Sequence, residues 1–271
     1  MIFYGLVKIP VRAFHFKLIL LLLTAWWALP AAAGKIVQFA PIDALLSGVY
    51  DGPYTVGEVK RHGDFGIGTF DALDGEMVVD RGVVYQVRAD GSVRAMADDV
   101  HTPFAVVAFF RPERHLDVPR GLAMKDVEAF IDAALPSANL FYAVRLEGTF
   151  RRLKARSVPR QQRPYPPLAE AAKQQAVFDF EQVPGVALGF RSPPFIKGVN
   201  VPGYHLHFLR ADRKAGGHVL DFRVERVTLS WQALDDFRLL LPGDGEFARA
   251  DLGRDREKEL NQVERKTDGK P

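Results

Sequence analysis

The stretch Pro202-Gly203-Tyr204-His205-Leu206-His207-Phe208-Leu209, followed after a short turn by Gly216-Gly217-His218-Val219-Leu220-Asp221-Phe222, holds three of the chain's seven histidines. Aromatic and branched residues bounded by glycines predict two strands here. A strand sends residues two apart to the same face, so His205 and His207 point together. A hairpin folded symmetrically about Asp212-Arg213 sets residue 207 opposite residue 218, with Cβ atoms about 5 Å apart on one face. Three imidazoles then converge with metal-ligand spacing. Three protein nitrogens with an open fourth position are the pattern of a catalytic rather than a structural zinc.

Composition narrows what such a site can belong to. With 271 residues, 48% of them hydrophobic, the chain can bury one substantial core or two modest ones, and it is not a disordered protein. It has no cysteine, so disulfides, thiolate metal sites and a thiol nucleophile are all excluded, and any metal is held by His, Asp or Glu. The formal charge of +3 comes from the first 33 residues, which carry Lys8, Arg12 and Lys17 and no acid. Beyond them the basic residues equal the 33 acidic ones, which removes the electrostatic case for a nucleic-acid surface.

Residues 1–33 have the order of a secretory signal peptide: a basic start, an apolar run from Leu18 to Leu29, then Ala31-Ala32-Ala33 before Gly34. The run is shorter than the roughly 20 residues a membrane span needs, and small residues at 31 and 33 suit cleavage after Ala33. The expectation is an exported protein, periplasmic or secreted, with no membrane association once the leader is removed. An uncleaved anchor is the alternative.

From Lys35 the chain begins extended, with a short helix at Ile42–Leu46. Glycines among apolar residues in His62–Phe70 predict a β layer with close backbone approach. Met77–Val79, Val83–Val87 and Val93–Met96, separated by Asp80-Arg81-Gly82 and Asp90-Gly91, predict an antiparallel meander. Pro103–Phe110 reads as a buried strand and Lys125–Ala134 as a helix ended by Pro136. Leu140–Gly148 reads as a strand paired with 150–158. Prolines 159, 164, 166 and 167 then mark a domain boundary, dividing a mixed-sheet part, 34–165, from a metal-binding part, 166–271. In the latter, Ala176–Phe180, Val186–Phe190 and Arg223–Trp231 are expected strands. The charged tail from Phe247 to Lys266 is expected to form a solvated helix or an ordered arm.

Two more residues suggest chemistry. Glu76 follows Asp74-Gly75, a turn that would expose its carboxylate at a strand start, although taken alone it reads as an ordinary surface glutamate. Strand alternation puts Lys154 and Arg156 on one face; an inward arginine there would bind a carboxylate bidentately, while an exposed basic strand is the commoner outcome.

Four stretches, taken in order, resemble the successive motifs of the α-acetolactate decarboxylase family: Gly66-Ile67-Gly68-Thr69-Phe70-Asp71-Ala72-Leu73-Asp74-Gly75-Glu76, Arg156-Ser157-Val158-Pro159-Arg160-Gln161, Pro202–Phe208 and Gly216–Phe222. The resemblance spans residues 37–264. Its departures, such as Ala155 in place of a hydroxyl residue and Val186 after Gly185, do not fall on a metal ligand. It implies an α+β fold in two parts with mixed, largely antiparallel β-sheets, the metal-binding β-hairpin lying in the second, and a homodimer. It further implies Zn2+ on His205, His207 and His218, with Arg156, Glu76 and Glu264 as catalytic groups. The implied reaction is decarboxylation of 2-acetolactate to acetoin and CO2 through an enediolate stabilised by the metal as a Lewis acid. There Arg156 positions the carboxylate and a glutamate delivers the proton.

Two other readings remain beside it. A cupin-like metal oxygenase also uses His-x-His on a strand, but no Glu follows His207 at the short interval expected, and turnover without O2 would separate the two. A non-catalytic exported metal-binding protein would form no acetoin. For the leader, the expected result is an exported protein whose mass corresponds to a chain starting at Gly34. Recovery of the intact Met1 form in the membrane fraction would instead establish the anchor.

Overall fold

The computed structural model describes Met1 and residues 34–112, 114–243 and 245–264. Apart from Met1, the expected leader lies outside these residues, as does the end of the tail from 265 onwards. Chain order is β1 (Lys35–Phe39), α1 (Ile42–Leu46), β2 (Tyr54–Thr55), α2 (Val56–His62), β3 (Phe65–Thr69), β4 (Glu76–Asp80), β5 (Val83–Val87), β6 (Val93–Ala95), β7 (His101–Thr102), β8 (Ala105–Ala108) and β9 (Arg114–Val118). Then follow α3 (Met124–Ala134), β10 (Phe141–Ser157), α4 (Leu168–Ala171), β11 (Ala176–Ser192), β12 (Gly203–Arg210), β13 (Gly216–Leu234), β14 (Asp236–Leu240) and α5 (Glu257–Glu264).

Two sheets carry the α+β fold. The first runs β14-β1-β8-β3-β4-β5-β6; it is mixed because β1 lies parallel to β14 while its other pairings are antiparallel. The second runs β10-β11-β12-β13-β9, and β10 also pairs with β13, so β10, β11, β12 and β13 close into a small barrel. Closure gives each of these four strands a neighbour on both sides along part of its length, and β9 adds to β13 beyond the β12 pairing. The change from one sheet to the other falls between β8 and β9, ahead of the proline-rich segment, and β14 returns to the first sheet beside β1. From residue 34 onwards the described residues belong to one compact unit.

Alternation explains the packing of the second sheet. Leu206, Phe208, Leu153, Ala155 and Val219 point into the barrel and form one core with Phe222, which the register shift opposite Lys154 and Ala155 brings to the same face. The opposite face of the same strands meets the first sheet, where Ile67, Val78, Phe104, Leu188 and Leu209 form another. A residue on this second face is therefore buried between sheets rather than exposed.

Several sequence expectations change. Leu140–Gly148 and 150–158 do not pair with each other: both belong to the single strand β10, which pairs along its length with β11 and β13. Gly148 makes continuity possible, because a Cβ there would lie 2.1 Å from the Arg226 carbonyl oxygen. Likewise β11 runs through Pro184, where two separate strands are expected. Helix α2 was not anticipated, although Thr55 and Glu58 form a reciprocal capping box at its start, a signal readable in sequence. Strands β9 and β14 also escaped the sequence reading. The tail helix α5 is not solvated throughout, since Leu260 and Val263 are buried in the core between the sheets.

Candidate metal centre

The hairpin of β12 and β13 has the register expected from its symmetry, with His207 opposite His218. His205 and His207 alternate with Leu206 and Phe208, so the imidazoles leave the barrel core and enter the space under β4. Pairing of β13 with β10 sets Arg156 beside His218. Arg156, His218 and His207 thus form one row across three adjacent strands. The first sheet brings Glu76, the first residue of β4, and α5 brings Glu264, its last. Glu76 does start a strand after the Asp74-Gly75 turn, but it is not exposed: β4 is a central strand and the residue is 7% accessible. Arg156 faces inward, whereas Lys154 on the same strand face reaches toward Asp179 at 3.9 Å and stays partly in solvent.

The polar groups meet closely. One ring nitrogen from each of His205, His207 and His218 lies within 4.8 Å of the others. Glu264 Oε2 is 3.5 Å from His205 Nε2 and 3.7 Å from His218 Nε2, and Glu76 Oε2 is 3.7 Å from His207 Nε2. Arg156 reaches both carboxylates, with Nη1 3.2 Å from Glu76 Oε1 and Nη2 3.5 Å from Glu264 Oε1. All six predicted site residues are therefore brought together.

Burial sets the protonation of the site. The His205 imidazole is held down to about 3, chiefly by desolvation and secondarily by the nearby Arg156 charge. Desolvation likewise holds His207 and His218 well below the ordinary histidine range. All three are neutral at physiological pH, the state in which imidazole ligates a metal. For Glu76 burial acts the other way and pushes the carboxyl up to about 7; Arg156 opposes this and Glu264 adds to it.

The donor set fits a metal ion. His207 Nδ1 lies 2.8 Å from the Met77 carbonyl oxygen. A carbonyl only accepts, so Nδ1 carries the proton and Nε2 presents its lone pair to the chamber. That Nε2 is buried without a hydrogen-bond partner. A backbone carbonyl fixing the tautomer of a ligating histidine is the usual support of a metal site. The buried His205/His207/His218 group can hold a metal ion. Sequence reading missed this supporting carbonyl, because Met77 is far from the hairpin in the chain and nothing local marks it.

Fold and site together define an α+β protein with a buried tri-histidine group able to hold a metal ion, attended by one arginine and two carboxylates. Residues 36–254 match the family model described as Alpha-acetolactate decarboxylase, and the chain belongs to this family. Alpha-acetolactate decarboxylase of Methanosarcina mazei is 47% identical over 234 residues, which cover 86% of this chain and 81% of that protein. The protein of the same name from Methylococcus capsulatus is 43% identical over 230 residues, 85% of this chain and 88% of its own. The crystal structure of alpha-acetolactate decarboxylase from Bacillus subtilis strain 168 superposes with a TM-score of 0.84 at 37% identity, over 86% of this chain and 100% of that one. Glu264 lies past the end of the span matched by the family model.

Replacing any one of His205, His207 or His218 by Ala is expected to abolish stable metal binding, as measured by elemental analysis of the purified variants. Full metal content in a variant would remove that residue from the ligand set.

Proposed function

We propose that this chain, a carboxy-lyase by family, converts 2-acetolactate to acetoin and CO2 with zinc held by His205, His207 and His218. The observation that carries the reading is the convergence of a buried arginine, three neutral imidazoles and two carboxyl groups in one chamber of a chain of this family.

In 2-acetolactate a carboxylate and a hydroxyl share a carbon next to a ketone. Loss of CO2 drives the remaining electron pair toward the ketone oxygen, and a proton must then reach carbon to complete acetoin. Zinc, when bound, supplies Lewis acidity that counters the charge developing on the substrate oxygens. Arg156 presents a planar fork suited to a carboxylate. Its contacts with Glu76 and Glu264 hold the guanidinium in position before substrate arrives, so little reorganisation is left for the reaction itself. Glu76, with its carboxyl near 7, holds a proton in a substantial fraction of molecules at neutral pH and is suited to deliver it. Delivery from one side fixes the configuration of the product. Glu264, across the guanidinium from Glu76, is the second acid–base group. The apolar residues around the chamber exclude water from the charged species.

On the composition of residues 1–33 we also propose export with removal of the leader, and on family grounds a homodimer.

The test is acetoin formation from 2-acetolactate by metal-loaded protein, lost on chelation, restored by zinc and independent of O2. Within the same assay Arg156→Lys is expected to keep fold and metal yet lose on the order of 10²-fold in kcat/KM, about 2.7 kcal/mol of transition-state stabilisation. The largely exposed Arg160 is the control, since its replacement by Lys should cost far less. Near wild-type activity in Arg156→Lys would remove the proposed role of that arginine while leaving the metal assignment standing.

A further inference from the structure

The polar half of the chamber accounts for the chemistry; the apolar half has so far been given only the exclusion of water. It is formed by Ile42, Leu45, Leu73, Phe104, Val158 and Leu168, all buried in the core between the sheets. The cavity measures about 30 Å³, room for about two water molecules and too little for 2-acetolactate unless its walls give. Any alkyl group on a substrate held by the polar half therefore presses on this wall.

Leu73 differs from the other five. Its φ is 56°, directly after Ala72 at 59°, so two consecutive non-glycine residues are left-handed. That conformation is costly for a residue with a Cβ, and it persists only where the surroundings impose it. Here they do. The Ala72 N–H donates to the Tyr50 carbonyl at 2.8 Å, the Ala72 carbonyl accepts from Gln161 N–H at 2.7 Å, and the Leu73 carbonyl accepts from Gly75 N–H at 2.8 Å. The same turn uses glycine at position 75, where φ is 82° and an added Cβ would meet the Val87 carbonyl at 2.3 Å. Glycine thus stands where the backbone has no room, and leucine is kept where a side chain reaches the chamber.

We infer that Leu73 is the specificity-determining residue that gauges the alkyl substituent on the substrate's carbinol carbon, an inference that rests on the decarboxylase reading above. Leu73 and Glu76 flank one turn and line the same chamber, and the inference places the alkyl group of a carbon that takes its proton from Glu76 against Leu73. The isobutyl group of Leu73 then sets how readily an added methylene is accommodated. Discrimination of one methylene by an apolar wall is worth roughly 10- to 200-fold in kcat/KM.

The experiment compares kcat/KM for 2-acetolactate and for its homologue with ethyl in place of methyl on the carbinol carbon. Leu73→Ala is expected to raise the ethyl-to-methyl ratio by about tenfold or more, with metal content unchanged. Leu73→Gly, which also relieves the left-handed backbone, serves the same purpose should the alanine variant fail to fold. Leu73→Met, nearly equal in volume, should keep the wild-type ratio, and Ile36→Ala, in the same core but off the chamber, should lower Tm without moving it. An active wild type whose ratio is unmoved by widening position 73 overturns the inference alone. A wild type inert toward both acids overturns the decarboxylase reading, and the inference with it.

Discussion

One hydrogen bond, from His207 Nδ1 to the Met77 carbonyl, joins the two sheets at the point where each puts polar groups into an apolar core. It fixes the tautomer and the direction of the imidazole, and it anchors β12 to β4 one residue from Glu76. The strand that receives the bond is thus the strand that delivers the carboxyl group. Around it, polar atoms that would each be costly to bury alone are placed within reach of one another. Arg156 is central to this arrangement because its guanidinium meets both carboxylates. Taking away one member of such a cluster leaves its neighbours buried without compensation, which costs more than the pair contributes.

Desolvation, the same cause, has opposite effects on the two kinds of titratable group in the chamber. It disfavours the protonated imidazole and favours the protonated Glu76 carboxyl. The centre thereby holds neutral ligands for a cation beside a carboxyl group that titrates near neutral pH. Exposed copies of the same residues would do the reverse at neutral pH, with the glutamates ionised and the histidines partly charged.

How much of this was legible in the sequence depended on the range of the signal. The hairpin was readable because alternation and a symmetric turn are local, and they gave the 207–218 register correctly. Alternation put Arg156 on one face with Lys154 without fixing which way that face turned; its inward direction and its place beside His218 come from the pairing of β10 with β13, which leaves no local mark. The burial of Glu76 was missed for the same reason: its turn is local, whereas the strands covering it are not. In α5 the charged residues concealed a docking face made by Leu260 and Val263 alone. Glycine and proline misled in β10 and β11, where Gly148 and Pro184 looked like ends and instead lie within ladders of cross-strand pairs. The capping box of α2 was a local signal overlooked.

The parallel pairing of β1 with β14 also has a kinetic meaning. It closes a loop from near the start of the described chain to residue 240, and Glu264 lies further on. Contacts of such sequence separation are formed slowly, since the entropy of closure is lost before they can stabilise anything. A nascent chain emerging in order would hold the hairpin histidines before β14 and α5 exist, and so would lack the enclosed chamber. On this ordering the enclosed chamber is among the last features of the fold to be completed.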